Sequence, residues 1–299
     1  MPRRTLIAVL TATAALGVCG CGTTPAPGGL RVVAAENFWG SIARQLAGST
    51  ARVSSIIVSP ATDPHSYEPT PADARVMAGA RLAIVNGIGY DAWASRLLSA
   101  SPLAGRRILN VGSLLGIGQG GNPHQWYSPV VVGEAARAIT ADLVRLVPAR
   151  RTYLQARLRW FQTRALARYD GLIATIRARF SGTPVGYSES IFAPLGHALG
   201  LRLKTPPSFA RAVAEGSEVS AADLLTVERQ ASRREIRVWI FNSQNATPEV
   251  THVNALARAA GVPVATVTET LSPASDSFQQ WQVSELEGLL RALERGTKR

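Results

Sequence analysis

In this chain the alternation of strand-like and helical segments is interrupted by one long helical stripe, and that interruption limits what the chain can fold into. Leu154, Leu158, Phe161, Ala165, Tyr169, Leu172, Ile176 and Phe180 recur at helical spacing and form one apolar face between Pro148 and Phe180. At about 1.5 Å per residue the stripe reaches roughly 50 Å, longer than an ordinary crossover helix needs. A helix that spans two lobes needs that length. Before the stripe, the strand candidates Leu30–Ala34, Val53–Val58, Leu82–Asn86 and Arg107–Val111 alternate with helix candidates Phe38–Leu46, Pro71–Ala80 and Tyr90–Ala100. After it, Pro184–Tyr187, Arg202–Lys204, Ile236–Phe241 and Pro263–Val267 alternate with Ile191–Leu199, Ala221–Ser232, Glu249–Ala260 and Phe278–Arg295. Strand–helix repetition of this kind builds parallel βαβ units. The reading is an α/β protein of two (βα)4-like lobes with parallel sheets, residues 30–147 and 182–299, joined by a single long rigid helix over 148–181.

In such folds ligands bind in the crevice outside the carboxyl ends of the strands. Four residues just past strand candidates carry metal-binding chemistry there. His65 follows Val53–Val58 in Asp63-Pro64-His65-Ser66-Tyr67-Glu68-Pro69, and His124 follows Arg107–Val111 in Asn122-Pro123-His124-Gln125-Trp126. Glu189 follows Pro184–Tyr187, and Asp276 follows Pro263–Val267. Two imidazoles and two carboxylates suit a divalent transition metal. The recurrence of Pro-His-X-aromatic on two separate loops carries the argument, since one loop histidine has many structural uses. Glu189 also suits the positive end of a helix. Ser275 and Asp276 also read as a helix N-cap, a role compatible with ligation. His197 and His252 lie within helical patterns and read as packing or surface residues.

The 299 residues are 46% apolar and 17% charged, a globular composition with a substantial core. The net charge of +12 rests almost wholly on arginine, with Lys only at 204 and 298. These arginines are scattered and no aromatic–basic RNA motif accompanies them, so nucleic acid is not an expected partner. Residues 1–21 read as a targeting segment. Arg3 and Arg4 precede the apolar run Thr5–Val18, which is short of the ~20 residues that span a bilayer. The run ends at Val18-Cys19-Gly20-Cys21, which resembles a bacterial lipoprotein box with Cys21 as the acylated first residue of the mature chain. An ordinary secretory signal without lipid is the alternative, and the arginine pair leaves Sec and twin-arginine export both open. Residues 22–29, with Pro25 and Pro27, read as a flexible tether. The expected location is extracytoplasmic, anchored to the cell membrane.

Together these motifs resemble the metal-specific class of substrate-binding proteins for ABC importers, the zinc- and manganese-binding lipoproteins once described as adhesins. The segment from Asp63 to Pro69 followed by Asp73 is similar to that family's first ligand loop. Asn122–Trp126 is similar to its second, with Tyr127-Ser128-Pro129 in place of the commoner Leu-Asp-Pro. Ser188-Glu189-Ser190-Ile191-Phe192 resembles the Glu version of its third, and Ser275-Asp276-Ser277-Phe278 resembles the fourth. The resemblance implies a monomeric, non-enzymatic carrier that delivers one metal ion to a membrane permease. Zinc-specific members with a long His- and acid-rich loop between the two histidine motifs are not matched, because only Gly116–Gly121 stands there.

Zn²⁺ and Mn²⁺ both suit this donor set, and Fe²⁺ also fits. Bidentate carboxylates favour six-coordinate Mn²⁺ or Fe²⁺; one oxygen from each favours tetrahedral Zn²⁺. Two readings compete. An envelope zinc hydrolase needs an open coordination position and a general base, and the chain has neither an HExxH helix nor a nucleophile elbow. A carrier of an organic ligand such as a siderophore or vitamin does not need two Pro-His loops. Both histidines must be neutral to coordinate, so metal affinity is expected to fall as pH drops through about 6, with the carboxylates contributing only at lower pH.

Overall fold

The computed structural model describes residues 29–298. The targeting segment, Cys21 and all of the tether except Gly29 lie outside the described residues.

Two four-stranded parallel sheets are present, as the alternation predicts. The first contains β1 (Leu30–Glu36), β2 (Ala51–Ile57), β3 (Leu82–Val85) and β4 (Arg107–Asn110) in the order β2-β1-β3-β4. The second contains β5 (Pro184–Tyr187), β6 (Arg202–Leu203), β7 (Val238–Asn242) and β8 (Val264–Val267) in the order β6-β5-β7-β8. The two orders are the same permutation. In the first sheet Val32 lies between Val53 and Leu82, and in the second Val185 pairs with Val238. Helices cover both faces of a parallel sheet, so its central strands become continuous apolar runs; Leu82–Val85 is buried at every position.

The first lobe carries α1 (Asn37–Ala47), α2 (Pro71–Ala78), α3 (Ala92–Ala100), α4 (Val111–Leu115) and α5 (Pro129–Leu146). The bridge is α6 (Arg151–Trp160) and α7 (Ala167–Phe180), with a π-helical turn at Phe161–Ala165 between them. The second lobe carries α8 (Ala193–Ala198), α9 (Pro207–Ala214), α10 (Ala221–Ser232), α11 (Pro248–Ala259) and α12 (Phe278–Thr297). Two helices depart from the periodicity reading. Val111, predicted to end β4, instead opens α4, because the Asn110 side chain accepts from the Ser113 N–H and caps the new helix. The eight-residue α9, which opens at Pro207 after the pair Pro206-Pro207, is absent from the periodicity reading.

The bridge is also less uniform than the stripe predicts. The helix begins at Arg151, after a short 3₁₀ turn at Pro148–Arg150, and its phase slips once. Leu166 N–H donates to Phe161 O at 3.0 Å, a bond across five residues. That slip buries Leu166 at the position where strict spacing predicts Ala165, and keeps Phe161, Tyr169 and Ile176 in the core. One apolar core runs through both lobes and the bridge, from Trp39 and Leu143 through Phe161 and Tyr169 to Val185, Phe278 and Trp281. Smaller clusters on the outer face of each sheet pack beneath α2–α3 and α10–α11.

Helix starts carry specific caps. Thr70 and Asp73 form a reciprocal capping box on α2, with Pro71 at the first helical position. At α12 the cap is Ser277, in a box with Gln280. Asp276, the candidate cap, stands one residue earlier and is half-buried, with its N–H donating to Pro273 O. Ser277→Ala should therefore cost about 0.5–2 kcal/mol of stability, while Asp276→Ala should stay within about 0.5 kcal/mol. Chemical denaturation of both variants checks this; equal losses would restore Asp276 as the cap.

Candidate metal centre

Every strand of both sheets points its carboxyl end toward one crevice, and the functional side chains come from the segments just beyond. After β2, Asp63 folds the histidine loop back on itself: its Oδ1 accepts from the His65 N–H at 2.9 Å and its Oδ2 from Ser66 Oγ at 2.9 Å. Tyr67 ties the same loop to α2 through Asp73 Oδ2, at 2.8 Å. His65 is solvent-accessible at the crevice mouth, with its ring edge-on to Tyr90 at 4.6 Å.

His124 is fully buried beside Trp126, whose ring stacks on Phe38 at 4.0 Å. Its Nδ1 lies 2.9 Å from Asn122 Oδ1, an acceptor, so the ring proton sits on Nδ1. Asn122 is oriented by its own amide, which donates to Ser190 O of the second lobe at 2.7 Å. The Nε2 lone pair is thereby left without a hydrogen-bond partner and faces Glu269 Oε1 at 3.5 Å. An oriented, neutral imidazole with an unused lone pair inside a protein is metal-ligand chemistry.

The second lobe supplies two buried carboxylates. Glu189 stands two residues past β5, and Glu269 stands two residues past β8. Asn242, the last residue of β7, donates from one amide nitrogen to both, at 2.6 Å to Glu189 Oε1 and 3.0 Å to Glu269 Oε1. Asn245 holds Glu189 Oε2 at 2.7 Å, and the Tyr90 hydroxyl reaches across from the first lobe to Glu269 Oε2 at 2.8 Å. Tyr90 is aimed by a tight reversal in which Gly87, Ile88 and Gly89 all have positive φ. For β-branched Ile88 that conformation is strained. Asp91 holds the turn by accepting from the Asn86 and Gly87 N–H groups at 2.6 and 2.8 Å.

His65, His124 and Glu269 place one donor atom each within 4.8 Å of one another. Glu189 joins them through the Asn242 amide it shares with Glu269. Asp276 is not brought into this group. The chain leaves the crevice at Leu271, whose N–H donates to Asn37 Oδ1, and the next residues lead outward to the start of α12. The strand-end rule itself picks out Glu269, which follows β8 as closely as Glu189 follows β5. The later Ser-Asp-Ser-Phe motif draws the eye past it. Tyr90, Asn122, Asn242 and Asn245 carry no sequence signal of their own. His197 is exposed on the wall of a cleft of about 430 Å³ that opens onto His65, and His252 pairs with Glu228 at 3.2 Å.

Burial dominates the electrostatics. It pushes His124 down to about 4, so that ring is neutral at ordinary pH; His65, enclosed by the crevice walls although part of its ring meets solvent, is lowered from its usual range. Burial also raises Glu269 and pushes Glu189 up to about 8, the neighbouring Glu269 carboxylate adding to the rise of Glu189. The buried carboxylates therefore add to the proton competition that the sequence assigns to the imidazoles.

A family model for the periplasmic zinc-uptake complex component A matches residues 32–292. Over 144 residues the chain is 28% identical to the manganese-binding lipoprotein MntA of Halalkalibacterium halodurans, covering 45% of this chain and 47% of that protein. Over 100 residues it is 35% identical to the manganese ABC transporter substrate-binding lipoprotein PsaA of Streptococcus anginosus, covering 31% and 32%. These alignments thus span half or less of the curated relatives. Among solved structures, a manganese-bound variant of a periplasmic metal binding protein from Candidatus Liberibacter asiaticus shares the fold, with TM-score 0.74 at 19% identity, covering 88% of this chain and 99% of that one. A crystal structure of ZnuA does so with TM-score 0.69 at 20% identity, covering 90% and 100%.

A carboxylate whose pKa is higher folded than unfolded stabilises the fold below its ordinary range and loses that contribution as pH rises through the folded value. Glu285, buried against Tyr127, Thr268 and Trp281 and pushed up to about 8, adds to the same trend. The metal-free protein should lose melting temperature between about pH 5 and about pH 8 through these groups. Zn²⁺ binding near pH 7 should release protons, and Glu189→Gln should reduce that release. Calorimetric titration in two buffers of different ionisation enthalpy measures it. Binding with no proton release would leave the imidazoles as the competing groups.

Proposed function

The chain belongs to the family of the periplasmic zinc-uptake complex component A, and on that premise we propose that it captures one divalent transition metal between its lobes and hands it to an ABC permease. The observation that carries this reading is the convergence of His65, His124 and Glu269, donors from both lobes, within 4.8 Å. Glu189 completes the proposed shell, and Glu269 takes the place that the sequence motif gives to Asp276. Two carboxylates offset the charge of the ion, and two neutral imidazoles supply nitrogen donors. The cargo is an ion to be released, and the activity is carriage without chemistry on the metal.

The choice between Zn²⁺ and Mn²⁺ turns on the carboxylates. Oε1 of both carboxylates accepts from Asn242, and Oε2 accepts from Tyr90 in Glu269 and from Asn245 in Glu189, so all four oxygens are already held and each has a further lone pair to offer. The intrinsic affinity order favours Zn²⁺ over Mn²⁺. We therefore read Zn²⁺ as the tighter-bound ion. Competition titration of chelator-stripped protein with both metals tests it, and a preference for Mn²⁺ would mean that the carboxylates reorganise to bidentate binding.

Replacing His65, His124 or Glu269 with Ala should weaken Zn²⁺ binding beyond the ~10–100-fold typical of losing a group behind a ligand. Asp276→Ala should leave affinity unchanged. The reverse pattern for Glu269 and Asp276, read by the same titration, would return the fourth position to Asp276.

The extracytoplasmic lipoprotein reading of Val18-Cys19-Gly20-Cys21 is part of this proposal. Cys21→Ser should abolish acylation, as read by incorporation of a labelled fatty acid. Labelling that survives the substitution would remove Cys21 from this role.

A further inference from the structure

We propose that the outer face of α6 and of the π turn that follows it is a docking surface for anionic lipid, which rests the protein on its membrane with the metal crevice turned away from the bilayer. From Leu143 to Tyr169 the chain contains no Asp or Glu, while arginine occupies positions 145, 150, 151, 157, 159, 164 and 168. Some of these are already engaged. Arg145 pairs with Asp142, Arg168 with Glu287, Arg150 bonds Ser49, and Arg157 donates to Gln45 O. Arg151, Arg159 and Arg164 are exposed and have no acidic partner among the described residues. Between them stands Trp160, 41% exposed, with the Arg157 guanidinium stacked over its ring at 4.4 Å. Arginines forming bidentate bonds to phosphate beside a tryptophan at headgroup depth are the chemistry of a membrane–water interface.

Position supplies the second argument. α6 starts beside Ser49 and Thr50, immediately before β2, and α7 ends at Phe180, just before β5. The bridge therefore starts and finishes at the strand-entry ends of the two sheets, opposite the strand ends that carry His65, His124, Glu189 and Glu269. β1 enters at the same pole, because Leu30 pairs with Ala51. The chain preceding Gly29 thus joins the fold next to the arginine face. This proposal builds on the reading of Cys21 as a lipidated residue, which would bring that pole toward the bilayer. Contact through a few solvated arginines is salt-sensitive and reversible. Docked, the crevice faces the medium for loading; released, the tethered protein is free to turn for delivery.

The test uses the full lipidated chain on vesicles of phosphatidylcholine alone or with phosphatidylglycerol. Thr163→Cys, on the exposed face between Arg159 and Arg164, carries a fluorophore, and Gln119→Cys, in the loop before His124, is the crevice-side control. Acrylamide quenching at position 163 should fall severalfold on the phosphatidylglycerol vesicles only, recover in high salt, and stay unchanged at position 119. Arg159→Gln with Arg164→Gln should lower the docked-to-free ratio about thirtyfold, at about fivefold per arginine. Equal quenching at position 163 on both vesicle types overturns the proposal while leaving the anchor intact. A chain that washes off phosphatidylcholine vesicles instead disproves the anchor. The arginine face is then judged by retention on phosphatidylglycerol at low salt: loss of retention in the double variant supports it, and unchanged retention overturns it.

Discussion

Two carboxylates buried side by side set the terms for everything around them. Glu189 and Glu269 are both buried, and the only ionisable nitrogen groups brought up to them are the imidazoles of His65 and His124, with no Lys or Arg side chain paired to either among the described residues. Unpaired buried charge is expensive, so such groups either hold protons or find a cation. The surrounding structure supplies hydrogen-bond donors without charge: Asn242, Asn245 and Tyr90. Amide and hydroxyl donors orient the oxygens without neutralising them. Under the proposed function a divalent ion resolves this arrangement, because it would replace the retained protons and bring the two imidazoles into use. The pair is thus costly when empty and satisfied when loaded, which couples occupancy to stability.

The lobes meet the demands of this pair through shared packing as well as shared ligands. Phe278 N–H donates to Ser41 Oγ, Gln279 bonds Gln45, and Tyr127 reaches Glu285 and Thr268. These ties join the start of α12 to α1 and the second histidine loop to the second lobe. With one core running through both lobes and the bridge, the crevice walls are positioned by packing far from the crevice. His65 is the exception. It is the accessible member of the group and sits on a loop secured mainly by its own Asp63 and by Tyr67.

Much of this architecture is legible in the sequence because parallel strands buried on both faces are apolar throughout and end at turn residues. Seven of the eight strands run four residues or more and are read within two residues of their observed limits. The two histidines are legible because each sits in a rigid Pro-His loop. The fourth donor is not. Glu269 lies in Thr268-Glu269-Thr270, a segment with no turn signature and no aromatic neighbour, and its role arises from the register of β8 beside β7. Tyr90 reads as the start of a helix, yet its hydroxyl crosses between lobes, because three left-handed residues before it reverse the chain. Such placements depend on tertiary geometry that no local period encodes.

The π turn at Phe161–Ala165 gives the bridge an angular role beyond its length. Each residue in a helix advances the chain by about 100°. Phe161 and Tyr169 are eight residues apart, which in a regular α-helix would set them about 80° apart around the axis. The π turn absorbs one residue and returns both to the same face, in the core that joins the two lobes. The alignment of the crevice walls therefore draws on one inserted residue in a part of the chain far from the proposed ligands.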